Sequence, residues 1–236
     1  MSSIVVSAAS YLDACGYGND VAGLRAWPED VVLAVQRGEW QALRWAAMFP
    51  SPCPRFGRMD PLSRLALLAA ELLEARLETW PAAVRENVGV CLQTCWGCLS
   101  ADVEFLRSAS PSVFAYTLPS TAIGEICIRY LLKGPVLCLT SSRPDGDLAL
   151  SEAADWLRQG EAEACLCLSC DAIAGGAGLP AGLSPSPPAG YGLAAAALLE
   201  KPASPAQTLT GRSHALDEGM TLPVLARKLA SARRDG

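Results

Sequence analysis

The sequence contains a single histidine, His214, and few charged residues of either sign. Charged side chains make up 18% of the 236 residues, below the roughly 25% that is usual for a soluble domain. Because 19 Lys and Arg face 24 Asp and Glu, the chain lacks the clustered positive charge that a nucleic-acid or anionic-membrane surface requires. One histidine excludes mechanisms that need two, and it leaves a Ser–His or Cys–His dyad only one candidate, in a predicted linker.

Long apolar runs are also absent, although hydrophobic residues make up 51% of the chain. No run approaches the roughly 18 residues of a membrane span, so we expect the excess apolar surface to be buried against a protein partner. Residues 1–10 show neither the basic start nor the long apolar segment of a secretion signal. We therefore expect a cytoplasmic protein whose ten cysteines are free thiols.

The order of the hydrophobic patterns predicts an α/β fold, because short apolar runs alternate with helical periodicities. Strands are predicted at residues 4–9, 88–92, 136–140, 164–169 and 191–199. Helices are predicted at residues 28–35, 60–79, 100–106, 120–133 and 147–159, with a last one from residue 221. We predict one domain over residues 1–200, followed by a linker and a C-terminal helix over residues 201–236.

Three residues mark helix ends most clearly. Asp60 is a predicted N-cap, since Pro61 at the first helical position loses no hydrogen bond there. Gly134 is predicted to take the left-handed conformation that ends the helix before it, and Pro135 prevents that helix from continuing. Gly160 is predicted to end the helix over residues 147–159 in the same way.

The cysteine spacing suggests a metal site as an alternative reading. Cys91, Cys95 and Cys98 have the spacing of a three-thiolate iron–sulfur site, and the Cys95–Cys98 pair together with Cys167 and Cys170 suggests zinc. However, Cys91 lies inside an apolar predicted strand, and alternation places Cys167 and Cys170 on opposite faces of another. These features favour packed thiols with no metal, and a cysteine-cluster metalloprotein stays as a rival hypothesis.

Three stretches taken together carry a family pattern. They are the helix at residues 60–66 with the strand that starts at Val88, the run LPSTAIGEICIRYLLKGP at residues 118–135, and residues 153–172. In this combination the chain resembles the N-terminal half of a β-ketoacyl synthase, a condensing enzyme of the thiolase superfamily. The resemblance spans about residues 1–200, with an irregular part near 21–58. It implies a thiolase-like half fold: a mixed β-sheet covered by helices, as in a truncated ketosynthase N-terminal domain.

One departure from the family pattern concerns the nucleophile. In the family, the strand after Gly-Pro turns sharply into a helix, and the reactive cysteine lies at that turn. Aligning Gly134-Pro135 and Ala149-Leu150 without a gap puts Arg143 there. An arginine does not attack a thioester, and its cation lies where a helix dipole would favour a thiolate. The family's catalytic histidines belong to a C-terminal half that this sequence does not match. We therefore expect a subunit with no catalytic residues.

A ketosynthase-like chain without a nucleophile resembles the chain-length factors of type II polyketide systems, in particular the truncated factors of proteobacterial aryl-polyene clusters. The resemblance implies a heterodimer with an active β-ketoacyl synthase, contact with acyl carrier protein only indirectly, and no cofactor. It implies that the subunit shapes the pocket that controls polyene chain length. A stand-alone half-thiolase scaffold that docks acyl carrier protein stays as an alternative.

The resemblance also assigns two sets of residues. The strand predicted to pair with the partner comprises Val136, Leu137, Cys138, Leu139 and Thr140. The side chains predicted to line the acyl pocket are Leu99, Asp102, Val103, Leu106, Phe114 and Tyr116. The alternative for the apolar members of the second set is ordinary core packing.

Overall fold

The computed structural model describes residues 4–175, 190–201 and 221–231, together with the backbone of residues 214–215. Most of the predicted linker lies outside the described residues. Within them, eight strands form one mixed sheet in the order β3-β2-β1-β7-β6-β4-β5, and β8 pairs with β1. The strands are β1 (Val5–Asp13), β2 (Gly16–Asn19), β3 (Gly23–Arg25), β4 (Val88–Thr94), β5 (Val136–Thr140), β6 (Ala164–Ala172), β7 (Gly192–Glu200) and β8 (His214–Ala215).

The strand directions place β5 at one edge of the sheet. β4 is parallel to both β5 and β6, while β7 is antiparallel to both β6 and β1. Consequently β1, β4, β5 and β6 all run in the same direction. β5 pairs with β4 along its whole length, from Val136 opposite Val90 to Thr140 opposite Thr94. In the described part of the chain, β5 is the outermost strand on its side.

Helices cover both faces of the sheet. The described residues contain α1 (Glu29–Gln36), α2 (Pro61–Glu71), α3 (Glu74–Leu77), α4 (Ala82–Arg85), α5 (Leu99–Ser108), α6 (Pro111–Phe114), α7 (Ser120–Tyr130), α8 (Asp147–Gln159) and α9 (Leu222–Ser231). One core layer packs α2 and α7 on one face of the sheet, and the other packs α8 and α9 on the opposite face. This α/β arrangement confirms the predicted thiolase-like half fold.

The central elements β4 and α2 have no polar face because they are buried on all sides. Every residue of β4 is buried, because Val90 and Leu92 face α2 while Cys91 faces α8. Every residue of α2 is buried as well, as expected for a helix enclosed by other elements on all sides. Its first turn is capped by Asp60, whose carboxylate accepts hydrogen bonds from the backbone N–H of Leu62 (3.2 Å) and Ser63 (3.0 Å). The predicted N-cap is therefore confirmed.

Several local predictions match the structure and three do not. β5 and α8 have the predicted bounds, and Gly160 ends α8 in the left-handed region with φ 79°. The prediction of one helix over residues 60–79 is wrong, because α2 ends at Glu71 and a separate short helix, α3, follows. His214, assigned to the linker, instead lies in β8 opposite Val6.

The role predicted for Gly134 is also wrong. Leu131, with φ 57°, is the left-handed residue at the end of α7. Gly134 is needed for a different reason: a Cβ atom built on it would lie 2.4 Å from the carbonyl oxygen of Val88. The glycine therefore allows the chain to pass directly over the start of β4 before it enters β5.

Candidate functional site

The turn between β5 and α8, residues 141–146, is held by a fully buried glutamine at the end of β4. The Gln93 amide nitrogen donates to the carbonyl of Arg143 (3.0 Å) and to Oδ1 of Asp145 (2.8 Å). Its amide oxygen accepts from the backbone N–H of Leu148 (2.9 Å) and Ala149 (3.2 Å). One side chain thus fixes the backbone of the turn and caps the first turn of α8.

The side chain of Arg143 makes one contact with that turn, an ion pair with Asp145. It is 75% exposed, and its Nε lies 3.1 Å from Oδ2 of Asp145. Its backbone N–H donates to the hydroxyl of Ser141 (3.2 Å). The position that the alignment assigns to the nucleophile therefore holds a solvent-exposed cation, neutralised in part by its neighbour.

His214 is remote from this turn. It pairs with Val6 near the start of β1, whereas the turn follows the end of β5, and the two strands run in the same direction. Four strand spacings of about 4.8 Å separate β1 from β5, roughly 19 Å in all. The backbone of His214 is consequently far from Ser141 and Ser142.

A buried carboxylate organises the adjacent ends of β4 and β6. Oδ1 of Asp171 accepts hydrogen bonds from the Thr94 hydroxyl (2.7 Å) and from the backbone N–H of Cys95 (2.8 Å) and Trp96 (3.0 Å). Burial, with a further contribution from the Asp171 carboxylate, raises the pKa of Cys95 to about 12. Cys95 is therefore a neutral thiol at physiological pH and a poor nucleophile.

The cysteines that suggested a metal site do not converge. Cys91 packs with Cys165 and Cys167 on the α8 side of the sheet, while Cys98 packs on the α2 side. Burial raises the pKa of Cys91 to about 12, which opposes the thiolate form that a metal needs. All ten cysteines lie within the described residues, where no group of three or more His, Cys, Asp or Glu residues is placed to hold a metal ion. The geometry thus gives no support to the metalloprotein alternative.

The β5 edge exposes apolar side chains. Val136 is 56% exposed, Thr140 is exposed, and the three residues between them are half-buried. Seven of the ten exposed large hydrophobic side chains in the described residues lie on β5, on α5–α7 and the loops at their ends, or in the first turn of α8; they are Leu106, Phe114, Leu118, Ile128, Leu131, Val136 and Leu148. Such a concentration of exposed apolar groups is typical of a protein–protein contact.

The six predicted pocket residues all lie on α5, on α6 or just after α6. Val103 and Tyr116 are buried, Leu99 and Asp102 are half-buried, and Leu106 and Phe114 are exposed. The Tyr116 hydroxyl donates to Glu125 (2.9 Å), so this side chain has a structural partner within the chain. A pocket lined by all six stays a prediction.

The sequence analysis missed the polar groups that fix these elements. Glu71 in α2 binds Arg129 and Tyr130 in α7, and Arg129 also lies over the ring of Trp45, 4.6 Å from its centroid. Gln93 was missed in the same way. The available signal was a polar residue inside or directly after an apolar run, because such a residue is buried only with partners.

No helix in the described residues combines the length and the apolar character needed to cross a membrane. A search of curated proteins finds no match.

Solved structures share the fold. A chain of the ishigamide ketosynthase/chain length factor matches with a TM-score of 0.58 and 22% identity, over 84% of this chain and 62% of that one. A chain of AntDE:AntF, a type II polyketide synthase acyl-carrier protein in complex with its ketosynthase bound to the hexaketide, matches with a TM-score of 0.57 and 18% identity, over 85% and 63%. The complex of the ketosynthase ApeO with its chain length factor ApeC from Xenorhabdus doucetiae matches with a TM-score of 0.56 and 17% identity, over 86% and 81%. This chain thus spans less than two thirds of the length of the first two of these chains.

A family model identifies the sequence itself. The model of the β-ketoacyl synthase N-terminal domain matches residues 35–182, which include α2, α7, β4, β5, β6 and the turn that carries Arg143. The match extends over more than half of the chain, and the layered sheet agrees with it. The chain belongs to the β-ketoacyl synthase family, through the family's N-terminal domain.

Proposed function

We propose that this protein is a non-catalytic chain-length factor that pairs with an active β-ketoacyl synthase in the cytoplasm and helps to shape that enzyme's acyl pocket. The proposed product class is a polyene of the aryl-polyene type. Acyl carrier protein contacts this subunit only indirectly, by binding the partner. The observation that carries the proposal is the exposed apolar edge at β5. The likeness to ketosynthase and chain length factor structures supports it at the level of the fold.

The β5 edge offers two kinds of contact at once. No strand of the described residues pairs with the outer side of β5, so its outward backbone N–H and C=O groups offer a template for another strand. Val136 is exposed on that strand, and α7, which contacts β5, carries the exposed Ile128, so strand pairing would bury apolar area at the same time. A partner of the same fold presents an equivalent strand, and two such edges pair around a two-fold axis.

The β5–α8 turn supports a non-catalytic role. Arg143 replaces the expected nucleophile, and its guanidinium faces solvent beside Asp145. The neighbouring Cys95 is held as a thiol by burial and by Asp171. A condensing reaction would therefore depend on the reactive cysteine of the partner subunit.

A charge placed on β5 tests the partner contact. Val136→Lys puts an ammonium group on the outer strand, and we expect it to abolish co-purification with a co-expressed partner β-ketoacyl synthase. Val224→Lys is the matched control, because Val224 is 57% exposed against 56% for Val136 and lies on α9, away from β5. The readout is the yield of the tagged complex after co-expression.

Two outcomes would contradict the proposal. Equal complex yields for Val136→Lys and the wild type would exclude β5 as the contact. A well-behaved monomer that binds acyl carrier protein without any ketosynthase would instead favour the scaffold alternative.

The proposed pocket wall is tested separately with Val103→Trp. Val103 is 7% exposed on α5, so the larger ring must displace its neighbours, and we expect a shorter product. The measurement is the product distribution by mass spectrometry for the purified heterodimer. Co-purification and thermal unfolding of the variant establish that the heterodimer still forms. An unchanged product distribution in an intact heterodimer would remove Val103 from the pocket wall.

A further inference from the structure

A small cavity lies at the side of the sheet opposite to β5. It opens to solvent, is lined by the end of β1, the turn into β2, the end of β3, and α9, and has a volume of about 170 Å³. The side chains that define its chemistry are Tyr11, Asp13, Cys15, Arg25 and Arg227. Because β1 and β5 are separated by three other strands, this cavity is independent of the proposed partner edge.

The negative charge in the cavity is engaged internally. Oδ1 of Asp13 accepts from the backbone N–H of Cys15 (2.8 Å) and Gly16 (3.1 Å), which closes the β1–β2 turn. Oδ2 accepts from the Tyr11 hydroxyl (3.0 Å). Asp13 is thus committed to the turn and to Tyr11.

The positive charge is not matched in the same way. Arg227 lies over the Tyr11 ring, 5.6 Å from its centroid, and Arg25 is exposed at the end of β3. Neither arginine forms an ion pair with a carboxylate among the described residues. Two guanidinium groups with unused donors therefore line a cavity that holds one engaged carboxylate.

We propose that this cavity binds a small phosphate group, as the free anion or as a phosphate monoester with a short substituent. A guanidinium group matches phosphate by donating two parallel hydrogen bonds, and two arginines on different elements clamp one oxyanion from two sides. The volume suits a phosphate-sized ligand and is well below the roughly 300 Å³ at which pockets for larger organic molecules begin.

Cys15 supplies a direct reporter of occupancy. It lines the cavity and is the one fully exposed cysteine of the ten, all of which are described. The probe is inorganic phosphate, and the readout is the rate at which the neutral reagent N-ethylmaleimide modifies Cys15, followed by peptide mass spectrometry. We expect saturating phosphate to slow this reaction several-fold, whereas sodium chloride and sodium acetate at matched ionic strength leave the rate unchanged.

The variants Arg25→Gln and Arg227→Gln test the clamp individually. Each should raise the phosphate concentration for half-protection about tenfold, as expected when one charge-assisted contact is lost. Lys228→Gln is the control, since it removes an exposed positive charge from α9 beside the cavity but outside its lining. Circular dichroism verifies that each variant is folded.

The outcomes separate the possibilities. Protection by acetate equal to that by phosphate would show a carboxylate site and overturn the assignment to phosphate. Protection equal to that by sodium chloride, or an equal loss in Lys228→Gln, would show general charge screening and overturn the site altogether.

Discussion

The buried ion pair between α2 and α7 allows a quantitative test of what holds this fold together. In Glu71, Oε1 accepts from Arg129 Nη2 and from the Ser51 hydroxyl, while Oε2 accepts from Arg129 Nε and from the Tyr130 hydroxyl. The Glu71 side chain is 0% exposed and that of Arg129 is 18% exposed. In Glu71→Gln one of these oxygens becomes an NH2 group that faces two donors, and Arg129 loses its buried counter-charge.

The expected loss is large. Removing one partner of a buried pair costs about 3–5 kcal/mol, because the other charge stays buried without compensation. The partial exposure of Arg129 and its second ion pair, with Glu74 (3.6 Å), place Glu71→Gln at the lower end, about 3 kcal/mol, which is a substantial part of the roughly 5–15 kcal/mol typical of a folded domain. Arg129→Met combined with Glu71→Leu removes both charges and should recover most of the loss.

Urea unfolding followed by far-UV circular dichroism measures these free energies. The control is the exposed pair Lys133–Glu86, with side-chain exposures of 63% and 57%, where Glu86→Gln should change the free energy of unfolding far less than Glu71→Gln does. If Glu71→Gln lowers stability no more than Glu86→Gln does, the buried network does not hold α7 on α2.

Two further predictions concern glycines and a buried acid. Gly134→Ala should lower the free energy of unfolding by about 1–3 kcal/mol, since its Cβ would meet the Val88 carbonyl oxygen at 2.4 Å. Gly124→Ala in α7, whose Cβ meets nothing within 4 Å, should raise the free energy of unfolding by about 0.5–1 kcal/mol. Thermal unfolding of the two variants measures the difference, and equal effects would contradict the predicted clash between residue 134 and Val88. Burial raises the pKa of Asp171 in the folded state, so its contribution to stability is present below its unfolded pKa of about 3.9 and is lost as pH rises through the folded pKa. Asp171→Asn should remove that loss. Urea unfolding from about pH 4 to pH 7 should therefore show a smaller decline in the free energy of unfolding for the variant than for the wild type, and the same pH dependence in both would refute this.

Local signals predicted the elements whose ends are set by neighbouring residues. α8 was predicted over its whole length because Gly160 adopts the left-handed conformation that ends it. The N-terminus of α2 was predicted because the carboxylate of Asp60 is two and three residues from the N–H groups that it caps. In both cases the determining interaction lies within a few residues in sequence.

Contacts between distant residues explain what the sequence did not predict. β2 and β3 are short, glycine-containing strands: β2 pairs with the edge that β1 provides, and β3 pairs in turn with β2. Gly134 is required by Val88, 46 positions earlier. In these cases local propensity is overruled by a partner whose position only the fold defines.

The same distinction between local signals and long-range contacts applies to the candidate site. The strand–helix turn and its arginine were found because the family pattern fixes their spacing, and β5 was found because Gly-Pro precedes it. The buried polar groups that hold the turn were missed, since Gln93 and Arg143 are 50 positions apart. Sequence reasoning thus identified which residues occupy the site, while the reason that the site keeps its shape came only from the packing.

The way in which the turn is held explains how its nucleophile can be absent without loss of the fold. Gln93 binds the carbonyl oxygen of Arg143, not its side chain, and the backbone N–H groups of α8 complete the contact. The side chain at this position is 75% exposed and pairs with Asp145 in the same turn, and such an exposed ion pair adds little to the backbone contacts that Gln93 makes. Since β5 leads directly into this turn, a partner bound along β5 would approach the exposed guanidinium of Arg143. The geometry of this turn is thus compatible with the association surface that we propose along β5.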